Sequence, residues 1–399
     1  MKKRYVIIGL LSAYLSAQGQ RSDSHYVKQK LSSTDVQLMF SYYTQDNNHS
    51  AVTGGIGTED LQVYASGLSF DWKKDSVRSV HFDAGVDIIT SASTDNIDFV
   101  VSSASKTDAR SQFNLGYTRF LQNGFTTTIN TGFSIESDYL SKSIALQLAH
   151  LSPDQSREWS VEVQAFFDDL RWGRLENGHA QKLVYPVELR YKEWFDTFRR
   201  NSLNLEMGWY QTLNKRMAVG FYPGVVYQSG LLATPFHRVY FTDGSKRVEN
   251  LPESRLKIPV GLQLNTFLGT RWVVRTAYRF YWDDFGILAH TISVEAPVKV
   301  SAVLTIAPLL RFYTQTKADY FNPYKQHTSV QEFYTSDYDL SSFRSYKTGL
   351  SIRYAPFAVR RRTTFKEIEV RYAFYKRSDG LAAHMMTMFI NYGVEGKKK

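Results

Sequence analysis

The chain has 399 residues, a formal net charge of +10 and no cysteine, which excludes structural disulfides, thiol chemistry and a lipid anchor on an N-terminal cysteine. Its 26 Tyr, 26 Phe and 7 Trp favour strands, and only 10 Pro stand to interrupt them. No stretch reaches the roughly 18 uncharged apolar residues that a membrane-crossing helix requires.

Lys2, Lys3 and Arg4 precede an apolar run from Val6 to Leu15 and small residues around Ala17 and Gly19. This order predicts a cleaved signal peptide over 1–19 and an exported chain from 20 onward. An exported chain without a helical span can be integral only as a closed barrel, because lipid offers no other way to pair backbone groups. In that compartment a basic excess, part of it in Lys397, Lys398 and Lys399, suits lipid phosphates, anionic solutes or an acidic partner rather than nucleic acid.

Strand-like alternation recurs at 36–43, 61–72, 77–90, 110–121, 125–136, 140–151, 157–168, 202–213, 216–228, 255–267, 271–282, 287–299, 302–314, 345–355, 365–377 and 382–393. Tight connections such as Lys73-Lys74-Asp75, Gln122-Asn123-Gly124, Asn214-Lys215 and Gly269-Thr270 alternate with long ones, as they do when one rim of a barrel has turns and the other loops. The expected fold is an all-β, transmembrane antiparallel β-barrel of about 16 strands, within a range of about 14–18, formed by a single domain over 20–399. Long extracellular loops are expected near 91–109, 169–201, 229–254 and 315–344. A further strand-like run, Val184 to Tyr191, would break the up-down parity and is assigned to its loop. Asp243-Gly244 marks a small hairpin within Val239 to Val248, expected to stand above the rim. The chain is too short for a plug ahead of a 22-stranded transporter barrel.

The clearest strand runs from Arg271 to Asp283. Trp272, Val274, Thr276, Tyr278, Phe280 and Trp282 share one face, while Arg275, Arg279 and Asp283 lie on the other. Trp272 and Trp282 are separated by ten residues, about 23–25 Å along the normal for a tilted strand, the height of an apolar band between two aromatic girdles. On the same register Glu158, Glu162, Asp168 and Glu206 face the lumen from the middle strands. Arg275, Arg279, Asp283, Glu295, Lys299, Arg311, Lys347, Arg353, Glu367, Glu369 and Arg371 face it later, with a cationic excess. Such a field could select anionic solutes in a water-filled pore. The same charges could instead pair across the lumen and close it. In the last strand Met385, Met386, Met388, Phe389, Ile390 and Tyr392 leave the faces open.

Catalytic residues are not expected. Neither Gly-x-Ser-x-Gly nor His-Glu-x-x-His occurs, and His327-Thr328-Ser329 lies in a predicted loop without a placed carboxylate. The outer-loop candidates are Tyr320, Asp337 and Asp339. Asp337 and Asp339, with Asp319, could offer oxygen ligands to calcium, but turn capping and pairing with loop Arg or Lys is the preferred reading, and no metal or cofactor is expected.

The segments His237-Arg238-Val239-Tyr240-Phe241, Tyr278-Arg279-Phe280-Tyr281-Trp282-Asp283-Asp284, Arg311 to Phe321, Tyr334 to Leu340 and Tyr375 to Leu381, with His290-Thr291, resemble those of the DUF3570 family of exported proteins. The resemblance covers most of the mature chain and carries no assigned activity. It implies a setting beside a small lipoprotein, a flavin transferase and a thioredoxin-like protein, and so an envelope redox assembly. The expected function is a non-enzymatic outer-membrane barrel, integral in outer-membrane lipids, that conducts small polar or anionic solutes. The alternative is a sealed scaffold docking a small lipoprotein or other exported redox protein, and the third reading is a lipid-modifying enzyme.

Overall fold

The computed structural model describes residues 32–46, 48, 60–91, 108–136, 140–170, 199–234, 238–360 and 362–395. The signal peptide, most of the loops near 91–109 and 169–201, Val184 to Tyr191 and the terminal lysines lie outside the described residues.

Twenty strands follow in chain order: β1 (Ser33–Gln45), β2 (Leu61–Lys73), β3 (Arg78–Ser91), β4 (Asp108–Phe120), β5 (Phe125–Ile135), β6 (Leu140–Leu151), β7 (Arg157–Asp169), β8 (Arg199–Asn214), β9 (Met217–Gly230), β10 (Arg238–Tyr240), β11 (Lys246–Val248), β12 (Ser254–Leu268), β13 (Trp272–Asp283), β14 (Leu288–Glu295), β15 (Val298–Lys299), β16 (Leu304–Gln315), β17 (Phe343–Tyr354), β18 (Ala358–Arg360), β19 (Thr363–Arg377) and β20 (Ala382–Glu395). β15 continues β14 between the same two neighbours, and β18 continues β17 along β19. The wall therefore has sixteen antiparallel strands, each paired with the next in sequence. The first and last, β1 and β20, close the sheet from Ser33 opposite Glu395 to Gln45 opposite Ala383. Closure leaves no unpaired edge, the condition for a sheet in lipid.

The interruption between β14 and β15 falls at Ala296-Pro297, where proline supplies no N–H to the ladder. The sequence pattern runs continuously over 287–299, and the break is the one local departure there. Turns at 74–77, 121–124, 152–156, 215–216 and 269–271 define one rim, with Asn123 and Gly124 both at positive φ (59° and 79°). The loops define the other.

Side chains alternate as the pleat requires. Leu310 (64 % exposed), Ile144, Leu146, Leu203 and Leu262 point outward and stay uncovered, as do Trp272 and Trp282 near the two ends of β13. In β20 the alternation resolves the faces: Met386, on the same face as Met388, Ile390 and Tyr392, is exposed, whereas Ala383 and Gly393, on the face of Met385 and Phe389, are buried.

The hairpin β10–β11 forms around Asp243-Gly244, with Gly244 at φ 83°. It does not stand free above the rim. Phe241 bridges His327, Asn250 bridges Tyr334, and Phe321 bridges Thr335, so the segments 238–253 and 316–342 fold together into one cap. Val239, Phe241, Ala318, His327 and Thr335 are fully buried within it.

Candidate functional site

The cap is seated in the mouth of the barrel, because its anchors are inward-facing residues of the wall. Gln315 of β16 donates through Nε2 to the carbonyls of Asp339 (2.9 Å) and Ser341 (2.6 Å). Arg377 of β19 donates to Asp339 Oδ1 (2.6 Å) and the Tyr338 carbonyl (2.8 Å), and stacks on Phe343 of β17 at 3.9 Å. Asp283 of β13 accepts from Arg255 of β12 (2.5 Å), from the Tyr281 hydroxyl (2.6 Å) and from the N–H groups of Phe285 and Ile287. Asp283 thus points inward but is wholly buried, holding the loop 284–287 rather than lining water. Arg255, Gln315 and Arg377 carry the inward parity of their strands, so their faces were readable; their cap partners, far away in sequence, were not.

The outer-loop candidates are built into the same cap. Tyr320 packs against Phe285 (5.2 Å) and Phe333 (5.7 Å), and Asp337 caps the short 3-10 turn Tyr338–Leu340 by accepting from Asp339 N–H at 2.8 Å. Asp339 pairs with Arg377, which also meets Asp379 Oδ2 at 2.6 Å. Burial, then the charges of Asp339 and Glu249, push the Asp337 carboxyl up to about 8. Glu249, for which the sequence carried no signal, is buried and accepts from Thr234 N–H (2.5 Å) and the Thr335 hydroxyl (2.5 Å). His327 has both ring nitrogens occupied, by Gln331 Oε1 at 3.0 Å and the Thr335 carbonyl at 2.9 Å.

Below the cap some inward charges of the wall stay partly exposed. Arg275 and Arg353 keep 46 % and 44 % of their side chains exposed although they point into the barrel. Each later-wall carboxylate has a cation beside it: Glu295 takes Arg275 (3.2 Å), Glu369 takes Arg371 (2.5 Å), Glu367 takes Arg353, and Asp283 takes Arg255. Arg279, Arg311 and Lys347 are left with no carboxylate partner among the described residues, and Lys347 stands directly opposite Arg311. Across the lumen the β7–β8 wall puts Glu162 opposite Glu206, with Asp168 held by Arg200 at 2.9 Å, and on β2–β3 His81 lies between Asp71 and Asp83 at 2.5 Å each. The two walls differ in sign, and much of the lining is thin. Inward glycines let neighbours lie flat on the sheet: a Cβ at Gly116 would come within 2.3 Å of Asn130 Oδ1, and one at Gly132 within 2.4 Å of Asn114 Oδ1.

The profile of DUF3570, described as a protein of unknown function, matches residues 83–388. The chain belongs to the DUF3570 family. No curated protein sequence matches it. Among solved structures it is similar to Pseudomonas aeruginosa OpdK with vanillate, at 7 % identity and a TM-score of 0.43, over 92 % of this chain and 99 % of that one. It is likewise similar to a BenF-like porin from Pseudomonas fluorescens Pf-5 (8 %, TM-score 0.43, 91 % and 99 %) and to the outer membrane protein OprD from Pseudomonas aeruginosa (8 %, TM-score 0.40, 94 % and 97 %). In this DUF3570 protein, closure of the sheet and the apolar belt on its outer face make the barrel an integral protein of the outer membrane.

Proposed function

We propose that the barrel conducts small anionic solutes, drawn past Arg279, Arg311 and Lys347 beneath the cap. The observation that carries this reading is the exposure of inward charges within the wall, Arg371 midway along β19 (38 %) and Arg275 in the tight-turn half of β13 (46 %), because a side chain that points into a barrel is exposed only where water-sized space adjoins it. A barrel of sixteen strands is wide enough to hold an aqueous channel. Cations without partners on low-dielectric walls lower the free energy of an anion in the narrow part of such a pore, and salt weakens the effect. The proposed barrel is non-enzymatic, a reading with which the two hydrogen bonds that tie the His327 ring into the cap agree.

Planar-bilayer recording in a salt gradient tests it. The purified protein is expected to conduct with a reversal potential favouring anions, and the triple variant Arg279→Gln, Arg311→Gln, Lys347→Gln should lose most of that preference while staying folded. Arg275→Gln alone should matter less, because Arg275 is already paired with Glu295. A folded protein that is silent would overturn the pore, and a cation-selective one would overturn the anion preference. One observation favours a second reading: the cap buries Phe241, His327 and Thr335 completely, as a seal would, and a silent barrel that co-purifies with a small lipoprotein would be the scaffold.

A further inference from the structure

On the outer face of the wall, β14, β16 and β17 align their side chains in rows. Ile292, Phe312 and Tyr346 form one row, and Val294, Leu310 and Thr348 form the next toward the tight-turn rim. Together they line an apolar groove of about 260 Å³. The row above it, toward the loops, changes character: His290 faces Thr314, and Thr314 faces Arg344. Lys376 of β19 stands opposite Tyr346, diagonal to Arg344 and within reach of the same small group. Both cations are exposed, and among the described residues neither meets a carboxylate.

Two like-built pairs bracket these cations. The Tyr278 hydroxyl meets His290 Nδ1 at 2.8 Å, and the Tyr372 hydroxyl meets His384 Nδ1 at 2.8 Å. In each pair the tyrosine lies two residues before a phenylalanine that faces the histidine across the ladder, Phe280 in one and Phe374 in the other. Polar ring atoms on an outward face belong at the height of lipid headgroups. A cation on the lipid face is costly at mid-bilayer and nearly free at the interface, so Arg344 and Lys376 mark that height as well.

We propose that the groove and the two cations form a binding site for one anionic, phosphate-bearing acyl lipid of the loop-side leaflet, for which phosphatidylglycerol serves as the probe. Its phosphate sits between Arg344 and Lys376, and an acyl chain runs down the groove over Phe312 and Leu310. The site is on the opposite side of the wall from the lumen, so lipid retention and conduction stand or fall independently.

Native mass spectrometry tests the proposal on the full-length protein taken from vesicles of equal phosphatidylglycerol and phosphatidylcholine. The wild type is expected to retain one phosphatidylglycerol at least about 10-fold over phosphatidylcholine, as two interfacial cations allow. The R344Q/K376Q variant should bring the two lipids near parity, and L310W, which fills the groove, should lose retention of both. K142Q, which removes an outward cation of β6 away from the groove, should leave the preference intact. Heat-modifiable migration on gels verifies that each variant is a closed barrel, and should L310W not close, the charge variants decide alone. An unchanged preference in R344Q/K376Q, an equal loss in K142Q from a diffuse anionic annulus, or lipid-free dimers with a second copy on this face would each overturn it.

Discussion

Leu262 and Gln263 are neighbours in the chain that meet opposite solvents: Leu262 is exposed on the outer face, while Gln263 points inward and its Nε2 donates to Asn265 Oδ1 at 3.2 Å. Placing Arg at Leu262 should therefore cost about 2–4 kcal/mol of folding free energy, and Arg at Gln263 much less, because only the first buries a guanidinium in hydrocarbon. Denaturant titration of both variants in vesicles checks the order, and the reverse ranking would invert the faces. Parity of this kind was legible from single residues on β13, where apolar and charged positions separate cleanly. Which charges neutralise one another was not, because the pairs Arg275–Glu295 and Arg353–Glu367 depend on the register between strands, and register is set by the whole ladder.

At the scale of elements, the wall strands were readable almost end to end, since lipid on one face and a polar interior on the other impose a period of two on every strand. The loops obey no such period. The cap that joins 238–253 to 316–342 is held by contacts some eighty residues apart, such as the Thr335 hydroxyl on Glu249 and the Asn250 amide on the Glu332 carbonyl, and no local pattern announces them. Its stability should depend on pH through Asp337. Folding raises this carboxyl from 3.8 to about 8, so the folded cap holds a proton that the unfolded loop releases. The stabilisation is full below about pH 4 and is lost as pH rises through about 8. Limited proteolysis within 316–342 is thus expected to accelerate from pH 5 to pH 9, and Asp337→Asn should flatten the profile; equal rates at both pH values in the wild type would contradict the assignment.

For the molecule as a whole, the feature with the widest consequence is the seam where β1 meets β20. Ser33 and Glu395 are register partners at the tight-turn rim, so their Cα atoms stand about 5 Å apart, as neighbours across any ladder do. The order in which the chain visits the wall is then separable from the wall itself. A short linker from Glu395 to Ser33 would make the circuit continuous, and the turn at Gly269, where nothing lies within 4 Å of an added Cβ, could be cut to give new ends. Such a circular permutant, beginning at Thr270 and ending at Gly269, should refold in detergent to a barrel with unchanged strand content and heat-modifiable migration. The native seam would become an ordinary hairpin, and the ladder between β12 and β13, a local hairpin in the natural order, would become the one that must wait for the rest of the sheet.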